Sequence, residues 1–179
     1  MSIIYQVYNS GLAHEGIGIE KTRKDHIFMY NRRVEDWDPP IFEFEEGGYT
    51  DYQNSDSSLH LCSSKLRVIL EQQASELDVF QWLEATVRHE GEERPYYVLH
   101  FPEPADVINK EKSKYSKSDG KLIAPKISRA LCEKHNVFNL LNPNSPLASH
   151  RLYIRENVKQ AIEADGCTGM EFEKRNLAE

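Results

Sequence analysis

The chain has 179 residues, 39% of them hydrophobic, a mean hydropathy of -0.65 and a formal charge of -7 from 29 acidic against 22 basic side chains. That length fits one domain with a real core or two small ones, and no apolar run approaches the roughly 20 residues that span a bilayer. The acidic balance disfavours contact with a phosphate backbone as a whole-molecule property and favours a basic partner.

The opening MSIIYQVYNS carries neither a basic leader nor an apolar segment ending in a cleavage site. Cys62, Cys132 and Cys167 are far apart and odd in number. Both features predict a cytoplasmic protein without a disulfide framework. Ile3–Tyr8, His26–Val34 and Ile41–Glu46 read as strands, the last with Phe42 and Phe44 on one face. The glycines of GLAHEGIGIE read as turns, because neither GxGxxG nor Gly-Lys-Ser/Thr is present.

Leu59–Ser63 reads as a short strand running into a helix capped by Ser63 or Ser64, with Leu66, Ile69 and Leu70 on its inner stripe. Leu77–Trp82 and Pro95–Phe101 read as strands, and Pro102 and Pro104 close the second. Lys110–Lys121 is polar and lysine-rich, an exposed loop or hairpin tip. Leu122–Leu131 and Asn136–Asn142 resume structure, Asn142–Pro146 turns, and a strand and helix near Glu156–Ala164 follow.

The stretch LHLCSSKLRVILEQ, Leu59–Gln72, has a counterpart in HRLYIRENVKQAIEA, His150–Ala164. A shift of 92 residues aligns Leu61 with Tyr153, Leu66 with Val158, Leu70 with Ile162 and Phe80 with Phe172. Each copy reads strand, helix, short connection, strand. Any two such units obeying one helical period match in this way, so the pattern describes packing before ancestry. Two helices with one apolar face each need a sheet to cover. The expectation is a single α+β domain over residues 1–179, mainly antiparallel, with two principal helices and a strand–helix–strand pseudo-repeat left open.

The search for chemistry finds little. Seven histidines include no HxxxH or HExxH pair, and no calcium-loop spacing is present, so neither a metal nor any other cofactor is expected. Ser57-Ser58 and Ser63-Ser64 lack a GxSxG elbow. His60 and Cys62 share a strand face, but a buried cysteine is the simpler account. Asp51 with Asp56, or Glu43 with Glu45, could do acid–base work, and this keeps a small hydrolytic enzyme as the alternative reading.

The charge pattern is more informative. From Val34 to Ser64 there is no lysine or arginine, while Glu35, Asp36, Asp38, Glu43, Glu45, Glu46, Asp51 and Asp56 alternate with aromatic residues. Aromatics anchor an interface and carboxylates steer a basic partner, so Trp37, Glu43, Glu45, Asp51 and Tyr52 are the candidate partner-binding residues. A solvated acidic face over an aromatic core is the competing explanation.

Several blocks resemble a known family. HLCSSKLRVILEQ, DVFQW, RPYYVLHFPEPADVINKEKS, NVFNL and RLYIRENVKQAIEADGCTGMEFEK are similar, in order, to the bacterial polymorphic-toxin immunity family typified by a myxobacterial immunity domain. The likeness covers about residues 58–174, with residues 1–57 as a less recognisable part of the same domain. Asn139 stands where arginine often follows the phenylalanine, and Arg155 where serine usually opens the last helix. The resemblance implies a cytoplasmic, non-enzymatic protein that binds and neutralises a cognate protein toxin; the charge and composition add that the toxin's active-site cleft could be basic and that neither direct nucleic acid nor membrane is a partner. It brings no catalytic set, and it implies that Tyr97, Phe138, Gly169 and Phe172 hold the fold. A binding module unrelated to toxins is the remaining reading.

Overall fold

The computed structural model describes residues 3–11, 16–21, 32–44, 46–57, 59–141, 143–144 and 151–179. In chain order, β1 (Ile4–Asn9), β2 (Ile17–Glu20), β3 (Ile41–Phe44), β4 (Tyr52–Ser55) and β5 (Leu61–Ser63) lead into helix α1 (Ser64–Gln73). β6 (Gln81–His89) and β7 (Glu92–His100) form a long hairpin. β8 (Lys114–Tyr115), β9 (Leu122–Ala124) and β10 (Ile127–Ser128) precede the short α2 (Arg129–Cys132). β11 (Val137–Phe138), β12 (Leu152–Arg155), α3 (Glu156–Ala164), β13 (Met170–Arg175) and β14 (Leu177–Ala178) complete the order.

Strands β2, β3, β6, β7, β5 and β4 close into a barrel. It is mixed: β2 runs parallel to β4 and β3 parallel to β6, while the other four pairings are antiparallel. A second sheet, ordered β11, β12, β1, β13, is antiparallel throughout. The ladders β8–β9 and β10–β14 stand apart, the latter parallel. The class is therefore α+β with sheet dominating, and antiparallel pairs prevail as expected. Barrel closure is an addition to that expectation.

Side-chain alternation explains how the barrel fills. Phe42, Phe44, Leu61, Leu83, Ala85, Val87, Tyr96 and Val98 sit on alternate positions of four strands and, with Leu59, form one buried cluster. The intervening positions face outward, where Cys62 and Leu99 join a second cluster with Tyr52, Leu66, Leu70, Val158 and Ile162. Val7, Leu152 and Ile154 of the second sheet belong to that same cluster. Helices α1 and α3 pack on each other between the two sheets' contributions.

The helical stripes fall where their period puts them: Leu66, Ile69, Leu70, Val158 and Ile162 are all buried. Ser63 is the cap of α1, its Oγ accepting a hydrogen bond from Leu66 N at 3.2 Å. At α3 the preceding Arg155 makes no such side-chain cap. There Glu156 N donates to Ile3 O at 3.3 Å, and Tyr5 Oη donates to Glu156 Oε2 at 2.6 Å. The Arg155 guanidinium donates instead to Glu133 O, 3.0 Å away.

Each compared stretch does run strand, helix, strand. In β5–α1–β6 the two strands flank β7, antiparallel to both, and in β12–α3–β13 they flank β1 in the same sense. The central strand comes later in the chain in one case and earlier in the other, and the two triplets occupy different sheets.

Some readings need correction, and others fall outside the described residues. Leu77–Phe80 is not strand, and β6 begins only at Gln81. The cause is Asp78, whose fully buried carboxylate accepts hydrogen bonds from Ser75 N, Asn136 N and Val137 N and meets His135 Nδ1 at 2.9 Å. A carboxylate that holds three amides bends the chain around itself. Tyr97 is only half-buried, under the Arg67 guanidinium at 4.5 Å, and its neighbour Tyr96 takes the core position. The strand expected over His26–Val34 falls largely outside the described residues, and Val34 itself lies in an irregular segment. Most of the Asn142–Pro146 turn also lies outside them.

One buried histidine gives a pH prediction. His100 is buried at the end of β7, and its Nε2 lies 2.9 Å from Arg32 O, where it acts as donor. Burial lowers its pKa below the ordinary 6.5, because the charged ring loses its water. A base whose folded pKa is depressed contributes stability above its unfolded pKa and loses it as pH falls through and below that value. Urea melts at about pH 7.5 and about pH 5.5 are expected to differ more for the natural chain than for His100→Gln. Equal pH sensitivity in the two proteins would exclude His100 as the source.

Candidate functional site

The acidic span begins as a strap laid along β6. Val34 N donates to Gln81 Oε1 at 2.9 Å, and Gln81 Nε2 donates back to Val34 O at 2.8 Å. Trp37 Nε1 donates to Glu84 O at 2.7 Å, and Thr86 N donates to Pro40 O at 3.0 Å. Pro39 and Pro40 stiffen the chain as it turns into β3. Trp37 is half-buried and packs against the barrel's interior cluster, which holds the indole in one place. Glu35, Asp36 and Asp38 are exposed around it. A segment without regular structure thus presents carboxylates from a fixed backbone.

The other proposed residues divide. Glu43 is exposed on β3 and pairs with Lys21 Nζ at 3.3 Å. Such an exposed pair contributes little stability and leaves the carboxylate open to a partner. Glu45 lies outside the described residues. Tyr52 is 2% exposed, stacked on His60 with ring centroids 5.0 Å apart, and burial pushes its hydroxyl well above the usual range. It belongs to the core, out of reach of a partner's surface.

Asp51 is half-buried, and both of its oxygens are engaged. Oδ1 accepts from Ser63 Oγ at 2.6 Å, and Oδ2 accepts from Thr168 N at 3.0 Å and Thr168 Oγ1 at 3.4 Å. Its own N–H and that of Tyr52 both donate to Thr168 O at 3.1 Å. One carboxylate therefore joins the cap of α1 to the segment that leaves α3. Gly169 follows with φ +86°, and a Cβ built there would stand 2.5 Å from both Thr50 Oγ1 and Tyr52 O. The Thr-Gly pair of the TGxxF block is the other half of this joint, and Phe172 continues from it to meet the Tyr5 ring edge-on at 6.4 Å.

Beside the joint is a shallow cleft of about 310 Å³, lined by Tyr49, Asp51, Lys65, Arg94, Tyr96 and Thr168 among others. Arg94 lies 3.9 Å above the Tyr49 ring and grips Glu92 through two hydrogen bonds. The Tyr96 hydroxyl, raised in pKa by burial, donates to Thr50 O at 2.7 Å. Among the described residues that line the cleft Asp51 is the one carboxylate, tied to Ser63 and Thr168, so the cleft holds no carboxylate pair. Asp56 is likewise occupied, its Oδ1 accepting Glu20 N at 2.9 Å. Cys62 is fully buried with its thiol pKa pushed far up, the opposite of an activated nucleophile. Among the described residues, no group of three or more His, Cys, Asp or Glu is disposed to hold a metal ion, and no helix is long and apolar enough to cross a membrane.

A family model described as "Immunity protein family (Imm11)" matches residues 11–176. The chain belongs to this immunity family. The match starts at residue 11, so the acidic strap and most of the N-terminal third lie inside the family's extent. Family membership agrees with the resemblance to an immunity family read from the sequence and associates the chain with toxin immunity. No curated protein matches the chain. One surface residue beyond the reading of the acidic span belongs with this immunity protein's strap. Glu84 is exposed on β6, and its carbonyl holds Trp37. The alternation Leu83, Ala85, Val87 already points Glu84 outward.

Proposed function

We propose that this immunity protein neutralises a cognate toxin by stoichiometric binding, with the strap around Trp37 as its contact surface. The observation that carries this reading is the anchoring of exposed carboxylates to β6 through four hydrogen bonds. Exposed acids on a rigid backbone lower the ordering cost of association and suit a basic cleft such as a nuclease's, standing in for substrate phosphates. Trp37 supplies an aromatic centre, and Glu35, Asp36, Glu43 and Glu84 supply the rim. Asp51 and Tyr52 act through the fold, the first by joining the cap of α1 to the segment after α3 and the second by filling the core. On this reading the chain is a non-enzymatic cytoplasmic protein without cofactor, and its partner is a protein, neither nucleic acid nor membrane.

The test starts from the product of the neighbouring gene or a protein captured from native cells. Charge reversal at Glu35, Asp36 and Glu43 together is expected to slow association at least about tenfold, with the gap closing as salt is added. Truncating Trp37 is expected to cost at least about 2 kcal/mol of binding, mostly through faster dissociation. Surface plasmon resonance separates the two rates. Association and salt dependence unchanged by the charge reversal, in a variant whose melt is normal, would remove the strap from the interface.

A further inference from the structure

A second surface has the opposite charge. A cavity of about 530 Å³ lies between β10, β12, β13 and the segment after β11, within the roughly 300–1,000 Å³ typical of ligand pockets. Leu122, Ile127, Leu140 and Tyr153 give it an apolar wall. Ile127 and Tyr153 are buried members of the third core cluster, so the wall is part of the fold and not a loop. Lys126, Arg151, Lys174 and Arg175 border it against one carboxylate, Glu173. That carboxylate is paired with Arg175 at 3.1 Å. Lys126 and Lys174 are exposed and make no ion pair among the described residues. An excess of cations around one cavity runs against a chain of charge -7.

The surface continues beyond the cavity. Asn144 accepts from Leu122 N at 2.9 Å and donates to Leu122 O at 2.6 Å, which ties the β8–β9 hairpin to the cavity's edge. That hairpin and the turn before it present Lys112, Lys114 and Lys117 with Tyr115 and Ile123 exposed, the latter at 67%. A small anion would need only the cavity. Exposed apolar side chains among lysines on the adjoining hairpin extend the surface to the scale of a protein contact.

We infer that this face docks an acidic segment of a partner protein, one apolar side chain entering the cavity while flanking carboxylates meet Lys126, Arg151 and Lys174. The inference goes beyond the strap and does not rest on it, since the two faces take partners of opposite charge and are changed by different substitutions.

The probe is a short dye-labelled peptide alternating glutamate with leucine, compared with the same peptide carrying glutamine for glutamate. Saturable binding to the full chain is expected, weakened by salt, with backbone resonances of Lys126, Ile127 and Lys174 shifting in an isotope-labelled sample. Lys126→Glu, Arg151→Glu and Lys174→Glu together are expected to weaken it at least about tenfold. Reversal at Glu35, Asp36 and Glu43 is expected to leave it unchanged. If the triple variant melts early, Lys126→Glu with Lys174→Glu, both at exposed positions, replaces it. Absence of saturable binding at millimolar peptide, equal affinity for the glutamine peptide, indifference to the charge reversal, or shifts confined to other residues would each overturn the inference. Tighter binding of a single-stranded oligonucleotide of equal charge would also overturn it, in favour of a nucleic-acid face.

Discussion

Replacing Gly169 with alanine is expected to destabilise the protein by about 3 kcal/mol or more, the sum of a backbone and a steric effect. The backbone effect follows from φ +86°, a region that an L-residue enters at a cost of about 1–3 kcal/mol. The steric effect follows from the 2.5 Å approach of a built Cβ to Tyr52 O. A backbone carbonyl cannot rotate aside as a side chain can, and moving it would pull on the N–H groups of Asp51 and Tyr52 that bond Thr168 O. Gly166 supplies the control. It has φ +65° but nothing within 4 Å of a built Cβ, so Gly166→Ala is expected to cost only about 1 kcal/mol. Denaturant melts of the two variants separate strain from collision. Equal costs would mean that the joint yields to the extra methyl and that close approach does not fix a glycine at this position.

The features legible in the sequence are those governed by local period. Leu66, Ile69 and Leu70 repeat on a helical stripe, Phe42 and Phe44 alternate, and Ser63 sits where a cap belongs, so each could be placed from its neighbours alone. Barrel closure was not legible, because the parallel pairings of β2 with β4 and of β3 with β6 join segments that no hairpin connects. Asp51 shows the same limit for the candidate site. Among acidic and aromatic neighbours it reads as a surface carboxylate, but its partners lie 12 and 117 residues away, and they make it structural. Tyr52 reads as an interface aromatic until the register of β4 turns it inward. Trp37 and Glu43 remain on the accessible surface, where an uncompensated acidic span would put them. The cations around the cavity come from β13 and from the segments that enter β10 and β12, and no spacing in the chain brings them together.

Truncation of Leu70 or Ile162 to alanine is expected to cost about 2–5 kcal/mol each. Both side chains are enclosed, at 0% and 1% exposure, in the cluster that also holds Tyr52 and Leu99 of the barrel region and Val7, Leu152 and Ile154 of the open sheet. Neither site borders solvent, so each cavity would stay dry and uncollapsed, which puts the cost toward the upper half of the range. A consequence concerns the domain. If the barrel and the open sheet fold as one unit, either substitution lowers the midpoint of a single transition, seen equally by far-ultraviolet circular dichroism and by tryptophan fluorescence from Trp37 and Trp82. The double variant then loses the sum of the two single costs, less a coupling of about 0.5–3 kcal/mol if the packed helices share the vacated space. Two separated transitions, with Leu70→Ala moving one and Ile162→Ala the other, would mean that α1 and α3 serve two units. Midpoints unmoved by both would show that the packed face of the helices had been misassigned.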